Sequence, residues 1–313
     1  MHDSRAVPFV CPIDHGVLEA HGDWLVCVQC AQRYPVVGGK PVLLNEANSV
    51  FRIADYTGGN AYGGASAYGT AGDGSRGLKR LYHRIVYTLS ESGAGPAAPF
   101  SASDAVAAVQ AADPDAQILI IGAGETSYAG NITYTDVAFG KNVRCIADAH
   151  DLPFADGSFD LVVACAVLEH VADPARCVAE MWRVLKSDGR AYAETPFLQP
   201  VHMREYDFTR FTFLGHRRLF RFFDQIEAGI SSGPGMSIAF VLRTTLANST
   251  EHRALGAVLH LAGLVLSYPL RLLDHIFTRS NGAYDSASAH YFFGQKRETA
   301  IPDRDILQFY RGA

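Results

Sequence analysis

From Gln117 onward, short apolar runs alternate with stretches of helical periodicity. QILIIGAG predicts a buried strand running into a glycine turn, ITYTDV a second strand, VRCIAD a third and FDLVVACAV a fourth. The fourth is continuously apolar, as expected of a parallel strand covered on both faces. Asp173-Pro174 opens a helix, with the acid as N-cap and proline at the first helical position. Ala175, Val178, Met181, Trp182 and Leu185 form its apolar stripe, and Gly189 supplies a C-terminal stop. RAYAETP reads as a fifth strand ended by Pro196, and Ser101 or Ser103 caps an earlier helix through Ala112. Beyond these come a helix around Phe213–Phe223, a strand IEAGISS, and a last strand, HYFFGQK, from His290. Strand-helix alternation of this kind predicts an α/β, doubly wound, mostly parallel sheet with right-handed crossovers.

Two regions break the pattern. Residues from about Phe9 to Leu44 form a short, turn-rich unit. From Ala54 to Gly77 the composition shifts to Gly, Ala, Tyr and Ser, which reads as a flexible linker or loop. The segment LKRLYHRIVYTLSES then has a helical stripe of Leu78, Leu81, Ile85 and Leu89. The second region is an apolar helical insertion, about 236–279, ahead of the last strand. Its stretch Ala254–Leu270 has no charge apart from His260, contains Pro269, and is bracketed by Arg253 and Arg271. It is slightly short for a membrane span, so a buried or interfacial helix is expected. The resulting division is 1–46, 47–100 and 101–313.

Composition narrows the class. The chain has 313 residues, 48% hydrophobic and 19% charged, which fits a soluble globular protein with room for a sizeable core. Its formal net charge of −5 offers no general attraction to nucleic acid. The N-terminus lacks the charged-then-apolar pattern of a signal peptide, so a reducing cytoplasm is expected. Cys145, Cys165 and Cys177 fall in apolar patterns and read as core. Cys11, Cys27 and Cys30 are clustered.

The chemistry gathers at the carboxyl ends of the strands. Gly122-Ala123-Gly124-Glu125 forms a turn where the backbone can approach a ligand closely. Ser127 stands where a dinucleotide fingerprint needs a third glycine, which counts against NAD. Asp136, ending the second strand, can accept from two ribose hydroxyls. Asp148, ending the third, can accept from an adenine amine, with Leu152 and Phe154 as an apolar bed for the ring. Leu168-Glu169-His170 follows the fourth strand and faces the same crevice.

Taken together, ILIIGAGE, the Asp136 strand end, CIADAHDLPFADGSFDLVVACAVLEHV and AEMWRVLKSDGRAYAETPF resemble class I S-adenosylmethionine (SAM)-dependent methyltransferases of the small-molecule group. The resemblance covers about Gln117 to Glu227 and returns at the last strand. It implies a seven-stranded Rossmann-like sheet and SAM as cofactor. Gly122, Ala123 and Gly124 would then hold the methionine part, Asp136 the ribose, and Asp148 and Ala149 the adenine. His170 would lie near the sulfonium or the acceptor. Three features depart from the family: Ile120 replaces an acid two residues before the turn, Thr126 replaces a glycine, and only AFGKN separates Asp136-Val137 from the third strand.

A proton acceptor for an alcohol or phenol substrate is sought in PFLQPVHMREYDFTRF. His202 and Glu205, with His170, are the catalytic candidates; the competing account is an ion-pair network of Arg204, Glu205, Asp207 and Arg210 under aromatic side chains. At the N-terminus, Cys11-Pro12-Ile13-Asp14 and Cys27-Val28-Gln29-Cys30 resemble two halves of a zinc-ribbon-like module, with Asp14 in the fourth place and either Asp14 or His15 able to complete a three-cysteine site. The expected activity is methylation of a small molecule, such as a sugar or lipid-linked intermediate. The alternatives are an RNA methyltransferase, whose only basic patch is Lys79, Arg80, His83 and Arg84, and a non-catalytic scaffold. Membrane-surface contact through 254–277 and a homodimer are further expectations.

Overall fold

The computed structural model describes residues 7–58, 96 and 98–313. Most of the expected linker and the basic helix that follows it lie outside these residues. The first residues of that linker are not loop: Ile53–Thr57 forms a short helix, α1, whose Tyr56 is buried.

The described strands are β1 (Leu18–His21), β2 (Trp24–Cys27), β3 (Arg33–Val37), β4 (Lys40–Leu43), β5 (Ile118–Ile121), β6 (Ile132–Asp136), β7 (Cys145–Ala147), β8 (Phe159–Cys165), β9 (Leu185–Pro196), β10 (Phe223–Ser232) and β11 (Ala289–Lys296). They form one sheet in the order β1-β2-β3-β4-β7-β6-β5-β8-β9-β11-β10. From β4 to β9 every neighbouring pair is parallel; β9, β11 and β10 are antiparallel, as are the N-terminal pairs. This Rossmann-like mixed sheet corrects the expected count of seven strands to eleven among the described residues. The difference is β1–β4, which continue the sheet past β7.

That continuation has a physical cause. β7 is the outermost of the strands from β5 onward, so its outer edge is free, and β4 pairs with it through Val42–Ile146 and Leu43–Ala147. Lys40 Nζ donates to the carbonyls of Gly140 and Val143, both at 2.5 Å, and the Tyr56 hydroxyl donates to the Val137 carbonyl at 2.6 Å. Where a crossover helix would lie, the N-terminal strands and α1 satisfy the loop instead.

Helices α2 (Ala102–Ala112), α3 (Pro174–Val184) and α4 (Phe213–Leu219) pack on the sheet. Ser101 caps α2 in a reciprocal box with Asp104, and Asp173 caps α3 ahead of Pro174, both as the sequence predicts. The stop for α3 is not Gly189: the helix ends at Val184, and β9 begins at Leu185. Alternation along β5 sends Leu119 and Ile121 to one core, and Ile118 and Ile120 to the other. Cys11, Tyr34 and Leu43 join the first core; Val42, Leu44 and Tyr56 join the second. Each fully buried apolar side chain contributes roughly 1.5–3 kcal/mol, so shared packing binds the N-terminal strands to the rest.

The insertion is a helical hairpin of α5 (Pro234–Ala247) and α6 (Arg253–Leu272), followed by the single turn α7 (Asp274–Phe277). Buried Asp274 closes its base by accepting from the backbone N–H groups of Gly235 at 2.6 Å and Met236 at 3.0 Å. A short turn of helix, α8 (Asp303–Ile306), follows β11.

Candidate active site

A cavity opens at the carboxyl ends of β5, β6, β7 and β8. Parallel strands leave this edge free, because the chain must turn there into each crossover. Gly122 begins the turn after β5 with φ +62°, and a Cβ there would come within 2.4 Å of Val167 Cγ2. Gly124 has φ +52° and open space before it. Both positions therefore require glycine, the first for sterics as well as conformation. Ala123 is buried behind the turn, whereas Glu125 is exposed and does not line the cavity.

Asp136 lines the cavity and is 4% exposed. One carboxylate oxygen accepts from the Gly124 N–H at 2.8 Å, the other from the Ala138 N–H at 2.9 Å. Burial raises its pKa, and these two donors oppose the rise. A carboxylate has about four acceptor sites. Each oxygen of Asp136 thus keeps one, which suits a vicinal diol, while the acid also pins the glycine turn.

Asp148 is more heavily engaged. Oδ1 accepts from the His150 backbone N–H at 3.1 Å and from its ring Nδ1 at 2.6 Å; Oδ2 accepts from Ser49 Oγ at 2.6 Å. The Asp173 N–H donates to His150 Nε2 at 3.0 Å, which leaves the ring proton on Nδ1 to be donated to Asp148. Burial alone would raise Asp148, but the His150 and Ser49 bonds hold it below the usual carboxylate range. One acceptor position remains, on Oδ2. Ala149 lines the cavity beside it.

Leu152 and Phe154 do not serve as the expected bed. Both are 0% exposed in the core, outside the cavity lining. The cause is Arg183, which donates to the carbonyls of Leu152 and Phe154, while Glu180 accepts from the Leu152 N–H, so this segment is pulled onto α3. The apolar walls come instead from Val137, Ala147, Val167, Val171 and Phe51. Phe51 stacks on Tyr206 with ring centroids 5.4 Å apart and bridges the N-terminal segment to the segment after β9. Ser49, Val50 and Phe51 carry no local motif; only the β4–β7 pairing places them here.

Of the catalytic candidates, His170 lines the cavity and His202 meets it with Nε2 atoms 3.1 Å apart. Glu205 is exposed and joins neither the lining nor the histidine pair. The expected ion-pair network is reduced to Asp207 and Arg210, whose guanidinium pairs with both carboxylate oxygens. Residue Ala166, left-handed at φ +52°, turns the chain out of β8 and delivers Val167 and His170 to the cavity.

At the other end of the sheet the four expected metal ligands come together. Cys11, Asp14, Cys27 and Cys30 place their ligand atoms within 4.8 Å of one another. The two turns repeat one backbone pattern. Cys11 N–H bonds the Gly16 carbonyl and His15 N–H the Cys11 carbonyl, each at 2.9 Å. Likewise Cys27 N–H bonds Gln32 at 2.9 Å and Ala31 N–H bonds Cys27 at 3.0 Å. His15 and Ala31 both have positive φ, +59° and +58°. Asp14 thus stands where the second turn has Cys30.

Residues 92–193 match the family described as Methyltransferase domain. Over this part of its length the chain is similar to methyltransferases. The ubiquinone/menaquinone biosynthesis C-methyltransferase UbiE of Psychromonas ingrahamii is 35% identical over 88 residues, 27% of this chain and 31% of that protein. UbiE of Geotalea uraniireducens is 48% identical over 46 residues, 15% and 20% of the two chains. The chain therefore spans about a third or less of the length of these relatives. A Burkholderia thailandensis 1,6-didemethyltoxoflavin-N1-methyltransferase structure covers 87% of this chain and 98% of its own at 11% identity and a TM-score of 0.39. A likeness that loose carries no weight for function. Gly122, Asp136, Asp148 and His170 lie within the matched span, and Phe51 and Tyr206 are added to the cavity from outside it.

Proposed function

We propose that the chain transfers a methyl group from SAM to a small-molecule acceptor. The observation that carries this reading is Asp136, an acid with two open acceptor positions beside a left-handed glycine turn, lining the cavity at the carboxyl ends of the parallel strands. When bound, SAM supplies an electrophilic methyl on a sulfonium. Gly122, Ala123 and Gly124 would border its methionine part, Asp136 would accept from the ribose hydroxyls, and Asp148 Oδ2 with Ala149 would meet the adenine. The residues of the chain then hold the acceptor in line, which can supply much of the rate. His170 and His202 would stand beside the acceptor and help it lose its proton. Calorimetric titration with SAM and S-adenosylhomocysteine tests the reading: micromolar binding is expected, and a folded protein that binds neither sinks it.

We read the thiol cluster as a structural zinc site. The Cys11 and Cys30 sulfurs lie 3.7 Å apart and Cys27 Sγ lies 3.3 Å from Asp14 Oδ1, separations that suit two ligands on one tetrahedral zinc. One zinc per chain is expected from elemental analysis, with Cys27→Ser losing it. Because Asp14 occupies the position equivalent to Cys30, Asp14→Cys should tighten zinc at least about tenfold in a chelator competition; unchanged affinity would remove Asp14 from the ligand set.

We also place the helical hairpin at a membrane surface. Among the described residues, Arg253–Phe277 is the one helix long and apolar enough to cross a bilayer, yet only 22% of its most apolar window is buried. Val258, Val265 and Leu266 are more than half exposed. Co-sedimentation with liposomes is expected, and Val265→Glu with Leu266→Glu should abolish it. A concentration-dependent dimer without lipid binding would assign this face to a second copy instead.

A further inference from the structure

Glu169 is 0% exposed, and among the described residues neither of its carboxylate oxygens has a hydrogen-bond partner. A buried acid without partners is costly, of order several kcal/mol when charged. What faces it is two imidazoles: Glu169 Oε1 lies 3.7 Å from His170 Nε2 and 3.9 Å from His202 Nε2.

The ring tautomers can be read from the other nitrogens. His170 Nδ1 lies 2.9 Å from the Tyr206 carbonyl oxygen, which can only accept, so Nδ1 donates and Nε2 carries a lone pair. Three groups stand 3.4 Å from His202 Nδ1: the Pro200 carbonyl, Asp207 Oδ2 and Arg210 Nη2. The Arg210 guanidinium is already directed at Asp207, Gln199, Thr209 and Pro200. The two oxygens are the remaining partners, and they call for a proton on Nδ1. Both Nε2 lone pairs then converge at 3.1 Å, beside an unpartnered carboxylate.

A single positive centre would engage all three donors at once. A shared proton would serve the two imidazoles but leave Glu169 unused. The three separations, 3.1, 3.7 and 3.9 Å, share a common point about 2.1 Å from every donor atom, the length of a zinc–nitrogen or zinc–oxygen bond. The Nδ1 atoms are held by a carbonyl and a carboxylate, as the outer nitrogens of metal-bound histidines usually are.

We propose that Glu169, His170 and His202 bind a divalent first-row transition-metal ion at the acceptor end of the cavity. Two imidazoles and one carboxylate select such an ion over magnesium or calcium, which prefer all-oxygen sites. Three protein ligands leave coordination positions open. If the methyl-transfer reading holds, those positions take an oxygen of the acceptor and ease loss of its proton; the metal site itself does not depend on that reading.

The test uses the full chain, stripped of metal and titrated with Co²⁺ and then Zn²⁺. Two equivalents are expected. One shows the near-ultraviolet charge-transfer band of thiolate ligands, and the other shows only weak visible bands of nitrogen and oxygen ligands. Glu169→Gln, nearly isosteric, and His202→Ala, on the exposed rim, should each weaken the second equivalent at least tenfold and leave the thiolate band unchanged. Cys27→Ser should do the reverse. The proposal is overturned if the wild-type chain takes up no ion outside the thiolate site, or if the second equivalent binds equally well in both variants. SAM titration of the same samples is read separately. SAM binding without the second ion removes this proposal alone; ion binding without SAM removes the methyl-transfer reading alone.

Discussion

Asp136→Ala is expected to weaken SAM binding by at least about 100-fold while leaving the chain folded. Two losses combine. The Gly124 and Ala138 N–H groups lose the carboxylate they donate to at 2.8 and 2.9 Å, and each buried donor left unpaired costs about 1–3 kcal/mol. The glycine turn then loses its anchor, so the cavity is no longer preorganised for a ligand; about 1.4 kcal/mol is already tenfold in affinity. Asp136→Asn separates the two roles. It keeps the shape and one acceptor but presents an NH₂ to the other backbone donor, so binding should fall by an intermediate factor. Calorimetry with S-adenosylhomocysteine checks both variants. An Asp136→Ala chain that melts normally and binds within threefold of wild type would show that this acid has no part in the site.

The second large effect is a loss of stability in mild acid. His216 and His290 are 2% and 0% exposed, and burial pushes their pKa values down to about 3 and about 4. His216 is also faced by His290 and Arg217, whose charges oppose its protonation, while the Tyr284 carbonyl next to His290 opposes the drop there. Both histidines stay neutral in the folded chain and charge near 6.5 when unfolded. Their depressed values therefore contribute stability that is present above pH 6.5 and lost as pH falls towards 4. Each contributes a slope of about 1.4 kcal/mol per pH unit in that window, so the pair gives about 2.7. Asp207 acts lower: burial would raise it, but Arg210 and the His202 N–H hold it at about 2, so its contribution fades only below pH 4. Urea unfolding at pH 7.5, 6 and 5 measures the slope. His216→Phe, among Phe211, Phe220 and Phe292, should reduce it by about half. An unchanged slope would place the acid sensitivity elsewhere.

Much of the site was legible along the chain because its parts are local. The turn Gly122–Gly124 follows a four-residue apolar strand directly, and Asp136 and Asp148 each stand at or next to a strand end that a parallel sheet must bring to one edge. Asp173-Pro174 announced α3 for the same reason: a cap and the helix it caps are neighbours in sequence. The four ligands around Cys11 and Cys27 were legible from two short spacings, although their repeat of one turn geometry was not.

What the sequence could not determine lies in contacts between distant segments. Nothing in β4 says that it will pair with β7; it does so because the outer edge of β7 has no other partner, and an open strand edge is satisfied by whatever strand can reach it. That one pairing extends the sheet to eleven strands and carries Ser49 to Asp148 and Phe51 to Tyr206, across 99 residues in the first case. Leu152 was misread because its fate depends on Arg183 reaching back from α3. Glu169 beside His170 was visible as a pair, but its lack of hydrogen-bond partners and its distance to His202 follow only from how the segment after β9 folds over the strand ends. Sequence determined the elements and the chemistry at their ends, because backbone propensity, capping and hydrophobic period act over a few residues. Tertiary structure alone decided which of those ends meet, because burial and unpaired polar groups are settled between segments far apart in the chain.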